Sequence, residues 1–169
     1  MINIFLPTVS STDIKKAKDA HKWEELYDIL TQPLHTELYR RGSFDFMDSL
    51  SWGQQLLLSY DYMRTQVGQG GFIQFIQNGY VSLLPDLIEQ LHKIQASSMA
   101  KVLDDALKVY VLNREILNEK TNVQEFAQLY VELKEFEEID ERFNKFNRST
   151  IILILEYATS HLEEFVTTT

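Results

Sequence analysis

The chain has 169 residues, 44% of them apolar, with three prolines, six glycines, no cysteine and a formal net charge of −9. These figures exclude disulfides, thiol nucleophiles and cysteine-ligated zinc, place the chain outside the disordered class and argue against direct binding to nucleic acid or anionic membranes. The length suits one domain with a sizeable core, and the scarcity of glycine and proline suits long helices, so the expectation is all-α: a single domain over residues 1–169 with seven to nine helices.

Residues 1–9 read as an extended N-terminal arm, which Ile2, Ile4, Phe5 and Leu6 can pack down. It lacks the basic start and apolar run of a secretion leader, and no apolar run reaches the ~20 residues of a membrane span, so a cytoplasmic protein is expected. Ser10, Ser11 and Thr12 offer a helix cap, with Asp13 in the first turn. Lys15, Lys16, Lys18 and Lys22 form the one basic cluster. Asp13, Asp19, Glu24 and Glu25 stand beside it, as on a solvated face.

Trp23, Leu26, Tyr27 and Leu30 repeat at i, i+3, i+4 and i+7, the stripe of a helix that Pro33 is expected to interrupt. A short helix over Leu34–Arg41 and a break at Gly42-Ser43 follow. Ser51 caps the next helix, whose apolar face is Leu56, Tyr60, Met63 and Val67. Gly68, Gly70 and Gly71 then allow a sharp corner. Phe72, Phe75 and Ile76 form a second apolar set, and Asn78-Gly79 is a turn signal.

Pro85 fits the first turn of a helix over Asp86–Ile94. Ser97 or Ser98 caps a longer one, with Met99, Val102, Leu103, Ala106, Val109, Tyr110, Asn113 and Leu117 on its inner stripe and Asn113 as the polar member. Asn122 with Glu125 makes a capping box, followed by Phe126, Leu129, Tyr130 and Leu133. A kink is expected near Lys134. Phe136, Ile139, Phe143 and Phe146 continue inward, and Ser149 is expected to cap a final helix from Ile151 through Ala158, Leu162, Phe165 and Val166.

Catalytic constellations are weak. Glu89-x-x-His92 stands alone where a di-iron bundle needs two such pairs and two further glutamates. No G-x-S-x-G is present, and Asp104 and Glu156 are the carboxylates whose helices are apolar enough for a shifted pKa. No enzyme, cofactor or metal is expected.

Acidic residues dominate the end of the chain. Residues 122–169 hold 10 acids and 4 bases, net −6 of the total −9. Glu132, Glu135, Glu137, Glu138, Asp140 and Glu141 fall within ten positions. With Leu133, Phe136 and Ile139 inward, the acids are expected to share the outer face, where neighbours at i+3 and i+4 stand about 5–6 Å apart. Such a row of like charges calls for either a solubility role or a cationic partner.

Gly70, Gly71 and Phe72, followed by Gln74, Phe75 and Asn78, resemble the signature of an all-helical bacterial domain family that includes a small DNA mimic of about this length. The likeness extends over roughly residues 30–120, and this chain carries Gln69 where many members have Asn. The signature residues mark the fold. The resemblance implies a homodimer whose surface carboxylates imitate duplex phosphates, occupy a helix-turn-helix transcription factor and keep it off its operator. Glu132, Glu135, Glu137, Glu138, Asp140 and Glu141 are the candidate surface. The alternatives are an acidic immunity or antitoxin-like protein that blocks a basic toxin, and a small-ligand binder or enzyme in which Gln69, Gln74 and Asn78 converge on the Gly70-Gly71 corner.

Overall fold

The computed structural model describes residues 3–169, so the predicted packing of Ile2 lies outside it. Its architecture is all-α, as expected. Among the described residues are seven α-helices: α1 (Ser11–Asp19), α2 (Trp23–Arg41), α3 (Trp52–Gln77), α4 (Leu84–Lys93), α5 (Ser97–Leu117), α6 (Val123–Glu132) and α7 (Glu135–Ser160). Short 3₁₀ turns lie at Phe44–Ser49, Val81–Leu83 and Leu162–Glu164. The chain divides into two compact units, one made of residues up to Asp61 with Ile151–Thr169, the other of Tyr62–Thr150.

The first unit is discontinuous in sequence. Strand β1 (Thr8–Val9) pairs in parallel with strand β2 (Thr167–Thr168), Thr8 opposite Thr167. The pairing engages the extended N-terminal arm. Gln54 is fully buried. Its Nε2 donates to the carbonyls of Phe5 at 2.9 Å and Phe165 at 2.8 Å, and its Oε1 accepts from Ser51 N at 2.9 Å. Ser51 caps α3 as predicted, its Oγ accepting from Gln54 N. Around this polar knot lie the buried Leu26, Tyr27, Leu30, Leu34 and Leu38 of α2, Leu56, Leu57 and Tyr60 of α3, and Ile154, Leu155 and Ala158 of α7.

Of the caps offered for α1, Ser10 takes the position by accepting from Asp13 N at 3.2 Å, while Ser11 Oγ donates to the Thr169 carbonyl at 2.7 Å. Two local expectations in this unit change. Pro33 does not interrupt its helix. α2 runs unbroken through it, because burying Leu30, Leu34 and Leu38 along one stripe outweighs the single hydrogen bond that proline removes from Ile29 O. The period after Ala158 does not stay helical either: α7 stops at Ser160, and the buried Phe165 and Val166 lie between a 3₁₀ turn and β2.

The second unit packs α4 against α5 and buries Phe72, Phe75, Leu87, Leu91, Met99, Leu103, Phe136 and Phe143. The Phe72 ring meets Phe75 edge-on at 6.3 Å and Phe143 at 5.9 Å. The capping box is present: Asn122 Oδ1 accepts from Glu125 N at 2.9 Å, and Glu125 Oε2 accepts from Asn122 N at 3.1 Å. The chain breaks at Leu133-Lys134, where a kink was expected. Ser97 and Ser98 do not cap α5, since Ala96 holds that position without a side-chain bond. Ser149 does not open a new helix. Its Oγ and the Thr150 Oγ1 both donate to the Phe146 carbonyl, at 3.0 and 2.7 Å, so both hydroxyls are spent inside α7. The inner stripe of α5 is buried through Ala106, half-buried at Val109, Tyr110 and Asn113, and buried again at Leu117. Asn113 donates to Val109 O at 2.8 Å and bends the helix, while Leu112 is 84% exposed.

Candidate functional site

The glycine corner is a real interruption of α3. Gly70 (φ −151°) and Gly71 (φ +74°, ψ −176°) leave helical geometry. The Gly71 conformation lies in the region that side chains disfavour. A Cβ at Gly71 would also overlap the Tyr130 hydroxyl and the Asp140 carboxylate. Those two groups fill the corner. The Tyr130 hydroxyl donates to the Gly70 carbonyl, and Asp140 Oδ1 accepts from Phe72 N at 2.9 Å. The backbone groups released by the break are thereby satisfied from α6 and α7.

Burial pushes the Asp140 carboxyl up to about 6, against the lowering effect of the Phe72 N–H and the Tyr130 hydroxyl. Burial, together with the neighbouring Asp140 charge, pushes the Tyr130 phenol well above its usual value. Because protein side chains already occupy it, the corner is not an open cradle. After Phe75 and Ile76, the helix ends at Asn78-Gly79 as the turn signal predicts: Gly79 has φ +87°, and Tyr80 N reaches back to Phe75 O at 3.2 Å.

The acidic residues fall into two sets. Glu132, Glu135, Glu137, Glu138 and Glu141 are exposed. Asp140 departs from the expected row, being half-buried and turned to the corner. The reason is helical phase. Asp140 follows Phe136 by four and precedes Phe143 by three, so it lies on the side of α7 that those two buried rings define. Glu141 is the i+4 neighbour of Glu137 and the i+3 neighbour of Glu138, and all three are exposed. Glu135, Glu137 and Glu138 also occupy the first turn of α7, where the positive helix end offsets part of their repulsion.

The row borders Arg142. Arg142 donates to Asp105 Oδ2 from both terminal nitrogens at 2.9 Å, and its Nε lies 3.8 Å from Glu138 Oε1. Burial raises the Asp105 pKa, but the hydrogen bonds from Lys101 and Arg142 outweigh it and hold the carboxyl below its ordinary value.

Below the corner, Gln74, Gln77, Asn78, Thr121, Asn122, Val123 and Phe126 line an open cleft of about 430 Å³. The sequence singled out Gln74 and Asn78 but gave no reason to bring Gln77, Thr121 and Asn122 to them. Gln69 is joined to Gln74 by a 3.4 Å contact and does not line the cleft. The isolated chemistry is otherwise engaged or exposed. Glu89 pairs with Lys93 at 2.8 Å, His92 is exposed, Asp104 pairs with Lys108 at 2.7 Å, and Glu156 is exposed. Among the described residues no helix is long and apolar enough to cross a membrane.

These features define an all-helical protein whose glycine corner is braced by two helices, one of which carries a run of exposed carboxylates. The chain belongs to the DMP19-like protein family, whose model matches residues 48–161. That span contains the corner, both bracing side chains and the whole acidic run. Over 122 residues, covering 70% of this chain and 74% of the relative, it is 27% identical to a protein of Neisseria meningitidis serogroup B (strain ATCC BAA-335 / MC58) named DNA mimic protein DMP19.

Proposed function

We propose that this chain is itself a DNA mimic, an inhibitory binding protein without enzymatic chemistry. The observation that carries the reading is the exposure of Glu132, Glu135, Glu137, Glu138 and Glu141 across the α6–α7 junction, inside the segment that the family model covers. Carboxylates at helical i+3 and i+4 spacing stand about 5–6 Å apart, close enough to engage the arginines and lysines that otherwise neutralise phosphates. The partner in this reading is a cytoplasmic helix-turn-helix transcription factor, held off its operator by competition for one basic surface. A homodimer would present the row twice, matching the two-fold symmetry of such a factor.

The test begins with the protein as bait in a cell extract, at low and high salt, and mass spectrometry of what elutes. A gel-shift competition between the recovered factor's operator DNA and this protein follows. Displacement of DNA by the wild type, lost when Glu137, Glu138 and Glu141 are changed to Gln, supports the reading. Wild type that leaves the DNA bound overturns it. Recovery of a basic toxin with no affinity for DNA would favour the immunity-protein alternative.

A further inference from the structure

The cleft below the glycine corner is lined by amides and a hydroxyl, and none of its seven lining residues is ionisable. Its hydrogen-bonding capacity is nonetheless lopsided. Gln77 Nε2 donates to the carbonyls of Leu117 at 3.3 Å and Glu119 at 3.0 Å. The Thr121 hydroxyl donates to Gln77 Oε1 at 2.5 Å. Gln74 Nε2 is shared between Gln66 and Gln69 Oε1, both at 3.4 Å. Asn78 Nδ2 donates to Gln66 Oε1 at 2.6 Å, and Asn122 Nδ2 to Glu125 Oε1 at 3.0 Å.

The side-chain donors are therefore mostly spent within the protein, with one hydrogen uncommitted on each of Asn78 and Asn122. The acceptors are not. Asn78 Oδ1 and the lone pairs of Thr121 Oγ1 remain, as do the second lone pairs of Gln77 Oε1 and Asn122 Oδ1. The same internal bonds fix the orientation of these oxygens.

An acceptor-rich, preorganised cleft favours a ligand made of donors. Two further features give that ligand a positive charge. The Phe126 ring is part of the lining, and an aromatic face attracts a planar cation. The cleft also lies at the C-terminal turn of the short helical stretch 72–77 that follows the corner, where the last carbonyls carry partial negative charge. The opposing positive start of α6 is answered by Glu125 in the capping box. The guanidinium group has five donors in one plane and no acceptor, and it is more weakly hydrated than an ammonium.

We infer that this cleft is a receptor for an arginine side chain of the protein partner, held by neutral acceptors and an aromatic ring instead of by a carboxylate. The inference rests on the proposed binding to a DNA-binding protein. It adds a second, short-range contact to the long-range attraction of the acidic row.

The experiment uses the full chain and NMR observation of the side-chain amides of Gln77, Asn78 and Asn122. The probes are Nα-acetyl-arginine methylamide, its citrulline counterpart, which is nearly isosteric but uncharged, and its lysine counterpart. The arginine probe should shift these amides saturably. The citrulline probe should bind at least about tenfold more weakly, because charge-assisted hydrogen bonds are roughly twice as strong as neutral ones, and lysine should fall between them. Asn78→Ala and, independently, Thr121→Val should each weaken the arginine probe several-fold. Glu137, Glu138 and Glu141 changed to Gln should leave the shifts in place.

Equal binding of citrulline and arginine overturns the inference, as do the absence of saturable shifts and shifts that persist in both cleft variants. Loss of the cleft interaction with operator competition intact removes this inference alone. Loss of operator competition with the arginine shifts intact removes the mimic reading and leaves a cation-binding cleft.

Discussion

Asp140 Oδ1 accepts the backbone N–H of Phe72 at 2.9 Å, so a carboxylate from the acidic stretch of α7 completes the hydrogen bonding of a broken helix 68 residues earlier. The carboxyl carries a cost there, because burial raises its pKa to about 6. The unfolded value is near 3.8. A raised folded-state pKa contributes stability that is fully present below about 3.8 and lost as pH rises through about 6. Asp140→Asn keeps an oxygen for Phe72 N without the ionisation. The variant should match the wild type near pH 4 and exceed it by on the order of 1–2 kcal/mol at pH 7. Urea denaturation at several pH values between 4 and 7.5 measures this, and a difference independent of pH would show that Asp140 is not the titrating group.

Gly71 supports a more severe prediction. Its φ of +74° disfavours any side chain, and a Cβ would overlap Tyr130 and Asp140. Gly71→Val should cost roughly 1–3 kcal/mol, visible as a lower thermal midpoint. A variant as stable as the parent would mean that the corner can relax without loss.

In the first unit, Gln54→Leu should be among the costliest conservative-volume changes. It leaves the Phe5 and Phe165 carbonyls and the Ser51 N–H without their buried partner. Each orphaned group costs about 1–3 kcal/mol, and hydration of part of the site recovers some of that, so a net loss of about 2–4 kcal/mol is expected. Hydrogen exchange at Ser51 should accelerate in step, whereas a purely volumetric effect would leave it unchanged.

The exposed carboxylates should behave in the opposite way. Glu137, Glu138 and Glu141 changed together to Gln should alter stability by less than about 1 kcal/mol, since surface charge pairs contribute little to folding. The wild-type complex with a DNA-binding partner should weaken steeply with added salt, and the variant should lose most of that dependence. Calorimetric titration at two ionic strengths checks both, and equal salt slopes would show that the row takes no part in binding.

Much of this architecture was legible in the residues. The 3–4 spacings located the helices, Asn122-x-x-Glu125 located a cap, and the cluster of glycines located the corner with its positive φ. What failed did so where local signals competed with burial. Pro33 marks a boundary by propensity, yet the Leu30, Leu34 and Leu38 stripe continues through it. Ser149 has the chemistry of a cap, but a hydroxyl can equally donate to the preceding turn. Asp140 stands among acidic neighbours in sequence, but its phase relative to Phe136 and Phe143 sets it apart. The cleft was beyond reach, because no pattern in the sequence brings Thr121 and Asn122 to Gln77 and Asn78.

The pairing of Thr8 with Thr167 makes the first unit dependent on both ends of the sequence, whereas Tyr62–Thr150 is one continuous stretch. Order of synthesis then matters. A ribosome delivers every residue of the continuous unit before it releases Ile151–Thr169, so the α4–α5 contacts can form while the first unit still lacks its C-terminal segment. Ring closure over nearly the full length carries the largest loop entropy in the molecule, and it comes last. Until then the residues up to Asp61 lack Ile154, Leu155 and Phe165, which are buried in the finished unit. In a living cell that interval is when a chaperone or a protease would meet this chain.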